Sequence, residues 1–174
     1  KRNSLKAKGV SPYGRKFERS NSVSEVLSAF TEGKVVVLAG RIMAHRKHGK
    51  VVFADIADQT GKMQLYIKEA IVGAECFSIV HDLDIGDIIG VKGDLFKTHM
   101  GQESVRVAEI TVLSKSLMTL PEKWHGLKDV EIRYRQRYVD LIANPEVRDL
   151  FIKRTKIVAY IRSYLDSRGF LEVE

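Results

Sequence analysis

Apolar and polar residues alternate most cleanly between Lys50 and Lys68, where Val52, Ala54 and Ile56 share one parity and Met63, Leu65 and Ile67 share one across a polar gap. The pattern predicts a two-stranded hairpin with those six residues on the buried face. The opposite parity carries Phe53 and Asp55 on the first arm, and Lys62, Gln64, Tyr66 and Lys68 on the second. For Phe53 and Gln64 to share a face the loop must hold an even number of residues. Asp58-Gln59-Thr60-Gly61 supplies four, with Asp suited to open the turn and Gly to take a positive φ. Phe53 then stands opposite Tyr66, and Asp55 opposite Gln64. Two rings and an amide fall where alternation predicts solvent. Such a pair either stabilises a half-exposed sheet by ~0.2–1 kcal/mol or offers ring faces to unpaired bases at ~1–3 kcal/mol per base. The hairpin alone leaves both open.

Before the hairpin, residues 3–20 hold a short helical pattern with a turn at Ser11-Pro12-Tyr13-Gly14. Ser22 and Glu25 form a capping box for a helix through Val23, Val26, Leu27 and Phe30, which Gly33 ends. Val35–Arg46 reads as a long strand with Val36, Leu38 and Ile42 on one parity and Gly40 as a bending point. A turn at His48-Gly49 leads into the hairpin. Ala70–Leu83 then reads as a helix. Two more strands follow: Asp87–Thr98, interrupted by Gly90 and Gly93, and Glu103–Ser114, whose inward parity switches between Val107 and Ile110 and so implies a bulge. Three strands, a helix and two strands is the order of a five-stranded Greek-key barrel of the oligonucleotide-binding (OB) type, which uses its second and third strands to hold nucleic acid. Phe53, Gln64 and Tyr66 sit on that face, which favours stacking. The expected fold class is mainly β with flanking helices.

Leu120-Pro121 opens a linker that continues through Trp124-His125-Gly126 into a charged helix over Glu131–Ile142. Asn144 as N-cap and Pro145 at the first helical position start another helix, with the apolar stripe Val147, Leu150, Phe151, Ile157, Val158, Ile161 and Leu165, and Gly169 as its stop. Phe170–Glu174 then opens a strand. That stripe has no partner within the chain, so the expectation is a barrel followed by the opening of a second domain. The expected divisions are a basic helical segment (1–33), the OB barrel (34–116), a linker (117–143) and the start of the second domain (144–174).

At 174 residues, with 44% hydrophobic and 29% charged residues, the chain can bury one ordinary core and has no apolar run of ~18 residues for a membrane span. One cysteine, Cys76, excludes an internal disulfide and suits a reducing cytoplasm, the expected location. Lys and Arg exceed Asp and Glu by 29 to 22, a formal +7, which suits a polyanionic partner without demanding one. Lys1, Arg2, Lys6, Lys8, Arg15, Lys16 and Arg19 face only Glu18 along the opening segment, which makes it either a phosphate-contacting arm or a solvated helix face.

No catalytic constellation is present. His45 and His48 have a metal-like spacing but lack nearby Cys or carboxylate partners, and read as a solvated turn. Gly86, Gly90 and Gly93 open no helix and precede no Gly-Lys-Ser/Thr, so no phosphate loop is expected. Asp82, Asp84 and Asp87 read as capping and turn residues around Gly86. Arg133, Tyr134, Arg135, Arg137 and Tyr138 either grip a phosphate backbone, pair with Glu131 and Asp140, or pack at a subunit contact.

Trp124-His125-Gly126-Leu127-Lys128-Asp129, then Glu131, Arg133-Tyr134-Arg135-Gln136-Arg137-Tyr138 and Asp140-Leu141, resembles the linker of class II, bacterial-type lysyl-tRNA synthetases. Leu5, Gly9, Pro12-Tyr13, Phe17, Gly86-Asp87 and Leu95-Phe96-Lys97-Thr98 are similar to the same family. Aspartyl and asparaginyl enzymes share the barrel and a related linker but not the His-Gly-Leu opening. The resemblance implies a barrel that reads the uridine-rich lysine anticodon: Phe53 stacks on a base, Gln64 bonds its edge, and Arg46 contacts a neighbouring base or phosphate, with Tyr66 beside them. The family often places an acid just after the glycine of the last hairpin; here Gln102 follows Gly101 and Glu103 comes next, so either residue could make that contact. It further implies a homodimer that attaches lysine to tRNA(Lys) through a lysyl-adenylate, with ATP and Mg2+ bound by residues beyond 174. On this expectation the 174 residues bind tRNA without activating an amino acid. The alternatives are a non-enzymatic module that binds single strands without sequence preference, and the equivalent domain of an aspartyl or asparaginyl enzyme.

Overall fold

The alternating stretches become the wall of a five-stranded barrel. The computed structural model describes every residue except 15, 119, 122–126, 128 and 174, and the chain divides into two units, Lys1–Thr119 and Leu120–Glu174. In the first, β1 (Val35–His48), β2 (Val51–Ala57), β3 (Lys62–Lys68), β4 (Ile88–Lys97) and β5 (Glu103–Ser114) close in the order β1-β2-β3-β5-β4. Among the described residues only the β3–β5 ladder is parallel. The hairpin has the expected four-residue loop, with Ala57 paired to Lys62, Phe53 to Tyr66 and Asp55 to Gln64. Val52, Ala54, Ile56, Met63, Leu65 and Ile67 are all buried, in one core with Val36, Leu38, Ile42, Ile89, Val91 and Leu95.

A close backbone approach and several register shifts let the wall curve. β1 pairs with β4 through Arg41 and with β2 from Arg41 onward. The changeover sits beside Gly40, where a Cβ would stand 2.9 Å from the Ala57 carbonyl oxygen. Such an approach of two backbones needs glycine. The bulge expected in β5 falls at Ala108, since Lys92 pairs with Glu109 and Gly93 with Val107.

Two helices precede the barrel, α1 (Arg2–Ala7) and α2 (Val23–Ser28), the second shorter than the expected span through Phe30. The Ser22–Glu25 capping box is present. The β2–β3 loop completes it: the Asp58 carboxylate accepts from the Val23 amide at 2.9 Å, and Thr60 Oγ1 accepts from the Ser24 amide at 3.0 Å. Between β3 and β4 the single expected helix is two, α3 (Glu69–Val72) and α4 (Ala74–His81), because Gly73 takes φ +83° between them. Apolar periodicity runs through that break and so concealed it. Phe77, Val80 and Leu83 join the barrel core.

The opening basic segment is folded onto carboxylates far away in sequence. Lys1 pairs with Asp84, Lys8 Nζ donates to Asp82 at 2.7 Å and to the Ser78 carbonyl at 2.9 Å, and Arg19 reaches Asp58 at 3.3 Å. Lys16 pairs locally with Glu18, while Arg15 lies outside the described residues. Asp84 and Asp87 do serve the turn around Gly86, as expected, and also hold Lys115. Its Nζ, nearly buried, lies 2.8 Å from Asp84 and 2.9 Å from both oxygens of the fully buried Asp87.

In the second unit the charged helix is likewise two, α5 (Val130–Arg135) and α6 (Arg137–Ala143), broken at Gln136. The buried Asp140 carboxylate accepts from Arg133 Nε at 3.0 Å and Asn144 Nδ2 at 2.6 Å and pairs with Arg137; Arg135 pairs with Glu131. Asn144 therefore does not cap with its side chain. It donates to Asp140 and to the Leu127 carbonyl instead, and Pro145 alone marks the start of α7 (Pro145–Asp166). Of the apolar stripe on α7 only Val147 is buried; Leu150 is 64% and Ile157 60% exposed. The strand expected at 170–174 is not formed over 170–173, where Arg162 instead holds Glu172 at 2.9 Å. Trp124, His125, Gly126, Lys128 and Glu174, part of the expected signature and strand, lie outside the described residues. Among the described residues no helix is long and apolar enough to cross a membrane.

Candidate nucleic-acid interface

Pairing across the barrel wall places Arg46, Phe53, Tyr66 and Arg106 in one transverse row over β1, β2, β3 and β5. The adjacent row holds Asp55, Gln64, Ser104 and Phe96. Phe53 and Tyr66 are half-buried outside the core, their ring centroids 5.4 Å apart at 57°. Tyr66 meets Phe96 at 5.6 Å in an edge contact, and His48 approaches Phe53 at 6.3 Å. The result is an outward strip of aromatic rings crossing the strands. Edge and tilted contacts of this kind fix ring orientation while leaving ring faces for a ligand.

Polar groups border the strip. Gln64 Oε1 accepts from Ser104 Oγ at 2.9 Å, and among the described residues none accepts from Gln64 Nε2, so the amide is oriented with a donor to spare. Arg46 donates to Asp55 at 3.2 Å, with the arginine side chain half-exposed. Gln102 and Glu103 follow the β4–β5 turn, where Gly101 has φ +77°. Ser104 Oγ also lies 3.3 Å from the Gln102 carbonyl, which links this turn to Gln64. Gln102 Nε2 donates to the Glu103 carbonyl at 3.3 Å, and the Glu103 carboxylate lies 3.8 Å from Lys97. Arg46, Phe53, Gln64 and Tyr66 are thus neighbours on three strands, Gln102 adjoins them through Ser104, and Glu103 is drawn toward Lys97.

Phe96, Ser104 and Arg106 join this face although the hairpin pattern did not name them. Outward parity beside the buried Leu95 marks Phe96 in the sequence, but its meeting with Tyr66 depends on the parallel β3–β5 closure, which leaves no local pattern. His45 is half-buried rather than solvated. Among the described residues its Nε2 finds no hydrogen-bond partner, and burial, with Lys47 and Lys1 nearby, lowers its pKa. Among the described residues no group of three or more His, Cys, Asp or Glu side chains gathers to hold a metal.

The arrangement can stack planar bases, donate to base edges and attract phosphate. Residues 36–113 match the family described as OB-fold nucleic acid binding domain, and residues 129–174 match tRNA synthetases class II (D, K and N). A lysine–tRNA ligase of Thermoanaerobacter pseudethanolicus is 56% identical over 177 residues, which cover 100% of this chain and 36% of the relative. Those of Syntrophomonas wolfei and Moorella thermoacetica are each 54% identical over 172 residues, 98% of this chain and 35% of theirs. The chain spans about 35% of the length of the curated relatives it matches.

Proposed function

This chain belongs to the class II lysyl-tRNA synthetase family, and on that premise we propose that its barrel recognises the anticodon of tRNA(Lys). The carrying observation is the outward strip of Phe53 and Tyr66 with the Gln64 amide beside it, on the strand pair with which OB barrels hold nucleic acid. In this proposal a base unstacked from the anticodon loop lies against the Phe53 ring. Tyr66 backs that ring, and Gln64 Nε2 donates to a carbonyl oxygen on the base edge, which suits uracil. Arg46 meets a neighbouring base or phosphate. Gln102, which donates and accepts, and Glu103, which only accepts, supply the further edge contact from the β4–β5 turn.

The longer protein, in the same proposal, is a cytoplasmic homodimer that joins lysine to tRNA(Lys) with ATP and Mg2+. In that chemistry we assign no role to the barrel residues named above. Their part is to bind and orient the anticodon.

A competition titration tests the proposal. A lysine-anticodon stem-loop should displace labelled tRNA(Lys) from the chain far better than a stem-loop with a scrambled loop. Phe53→Ala should weaken binding by ~1–3 kcal/mol with the barrel still folded, because the lost ring lies outside the core. Equal competition by the two stem-loops would favour the module without sequence preference, and wild-type affinity in the Ala variant would remove the stacking role.

A further inference from the structure

The transverse row has an arginine at each end. Arg46 pairs across to Phe53, Phe53 to Tyr66, Tyr66 to Arg106, and Arg106 to Asp94. With strands ~4.8 Å apart, three such steps set the two arginine positions roughly 14 Å apart across the sheet. Neither guanidinium can therefore serve the place the other serves. We infer that Arg106 is a second backbone anchor of this face, binding the phosphodiester beside the nucleotide whose base stacks on the Phe53–Tyr66 pair. The inference rests on the proposed nucleic-acid reading of that pair.

Three observations carry it. The Arg106 guanidinium lies over the Phe96 ring, 4.9 Å from its centroid, and Phe96 is itself set against Tyr66. A cation stacked on a ring loses less freedom when it takes a ligand than one waving in solvent. The guanidinium fork also matches a phosphate with two parallel hydrogen bonds. Its present acidic neighbour holds it weakly: Asp94 is 3.8 Å away, and the two side chains are 44% and 34% exposed. Exposed pairs of this kind contribute ~0–1 kcal/mol, so a phosphate can take the place of Asp94. Arg46 at the other end is held by Asp55 at 3.2 Å, also in partial exposure. A strand crossing the row would meet a cation, two rings and a cation in succession.

The test uses the full 174-residue chain and the lysine-anticodon stem-loop, with affinity measured across a range of salt concentrations. Each phosphate contact to a single strand contributes ~0.7 to the slope of log affinity against log salt. Arg106→Gln should weaken binding severalfold at low salt and flatten the slope by ~0.7, equally for lysine and scrambled loops, while Arg106→Lys should keep most of the slope. Replacing loop phosphates one at a time by neutral methylphosphonates should reveal one linkage at which Arg106→Gln has no further effect. Unchanged affinity and slope in Arg106→Gln, with Phe53→Ala still impaired, would overturn the anchor and leave the stacking face standing. A loss of affinity without a change of slope would also overturn it. If Phe53→Ala were unimpaired as well, the stacking face itself would fall.

Discussion

At Gly90 there is no space for a methyl group, because a Cβ there would lie 2.4 Å from the Phe17 ring. In the sequence this glycine looks only like an interruption of a strand. Its cause is an aromatic side chain from the segment before the barrel, lying against β4. Gly90→Ala should therefore displace the Phe17 ring and destabilise the chain by ~1–3 kcal/mol, the usual penalty for overpacking. Urea unfolding checks this: the midpoint falls, and the penalty shrinks when the same change is made in a Phe17→Ala background. Phe53, Gln64 and Tyr66 were legible because period-2 alternation and an even loop fix both face and partner. Phe96 and Arg106 were not, since nothing local announces that β5 will lie parallel beside β3.

Elements were legible as to kind and less so as to extent. The five strands lie close to where alternation put them, while two helices broke: one at Gly73, inside a segment whose apolar spacing continued past the break, and the charged one at Gln136. A helix as short as α2, six residues, is marginal alone and depends on its surroundings. Asp58 supplies much of that support, accepting from the amides of Val23, Thr60 and Gly61 and from Thr60 Oγ1. Burial works to raise the pKa of its carboxyl, but these hydrogen bonds outweigh it and hold the carboxyl below its ordinary value. A carboxyl depressed on folding contributes stability above its unfolded pKa, ~3.9, and that contribution is lost as pH falls through the folded value. Asp58→Ala should cost ~1.5–3 kcal/mol near pH 7, as expected for hydrogen bonds to a charged group. The gap to the unaltered chain in urea unfolding should narrow below about pH 4; a gap unchanged at pH 3 would place the effect elsewhere.

Over the whole chain, the formal +7 does not say which cations are free to meet RNA. Sequence order set the opening lysines and arginines against Glu18 alone, whereas the fold supplies Asp58, Asp82 and Asp84 to them. Distance and burial separate the Lys8–Asp82 pair from the Arg106–Asp94 pair on the aromatic face. Lys8 binds two acceptors at 2.7 and 2.9 Å, and its partner Asp82 has a side chain only 17% exposed. The Lys8 hydrogen bond lowers the Asp82 pKa, against the smaller raising effect of burial and with help from Ser4. Arg106 and Asp94, by contrast, are 3.8 Å apart and only partly buried. Lys8 thus fastens α1 onto the end of α4, while Arg106 remains exchangeable. Lys8→Gln should lower the urea midpoint and leave the salt slope of stem-loop binding unchanged, the reverse of the pattern for Arg106→Gln. A slope flattened by ~0.7 in Lys8→Gln would return the opening segment to the role of a phosphate-contacting arm, because only a lysine that leaves Asp82 for the RNA could carry that dependence.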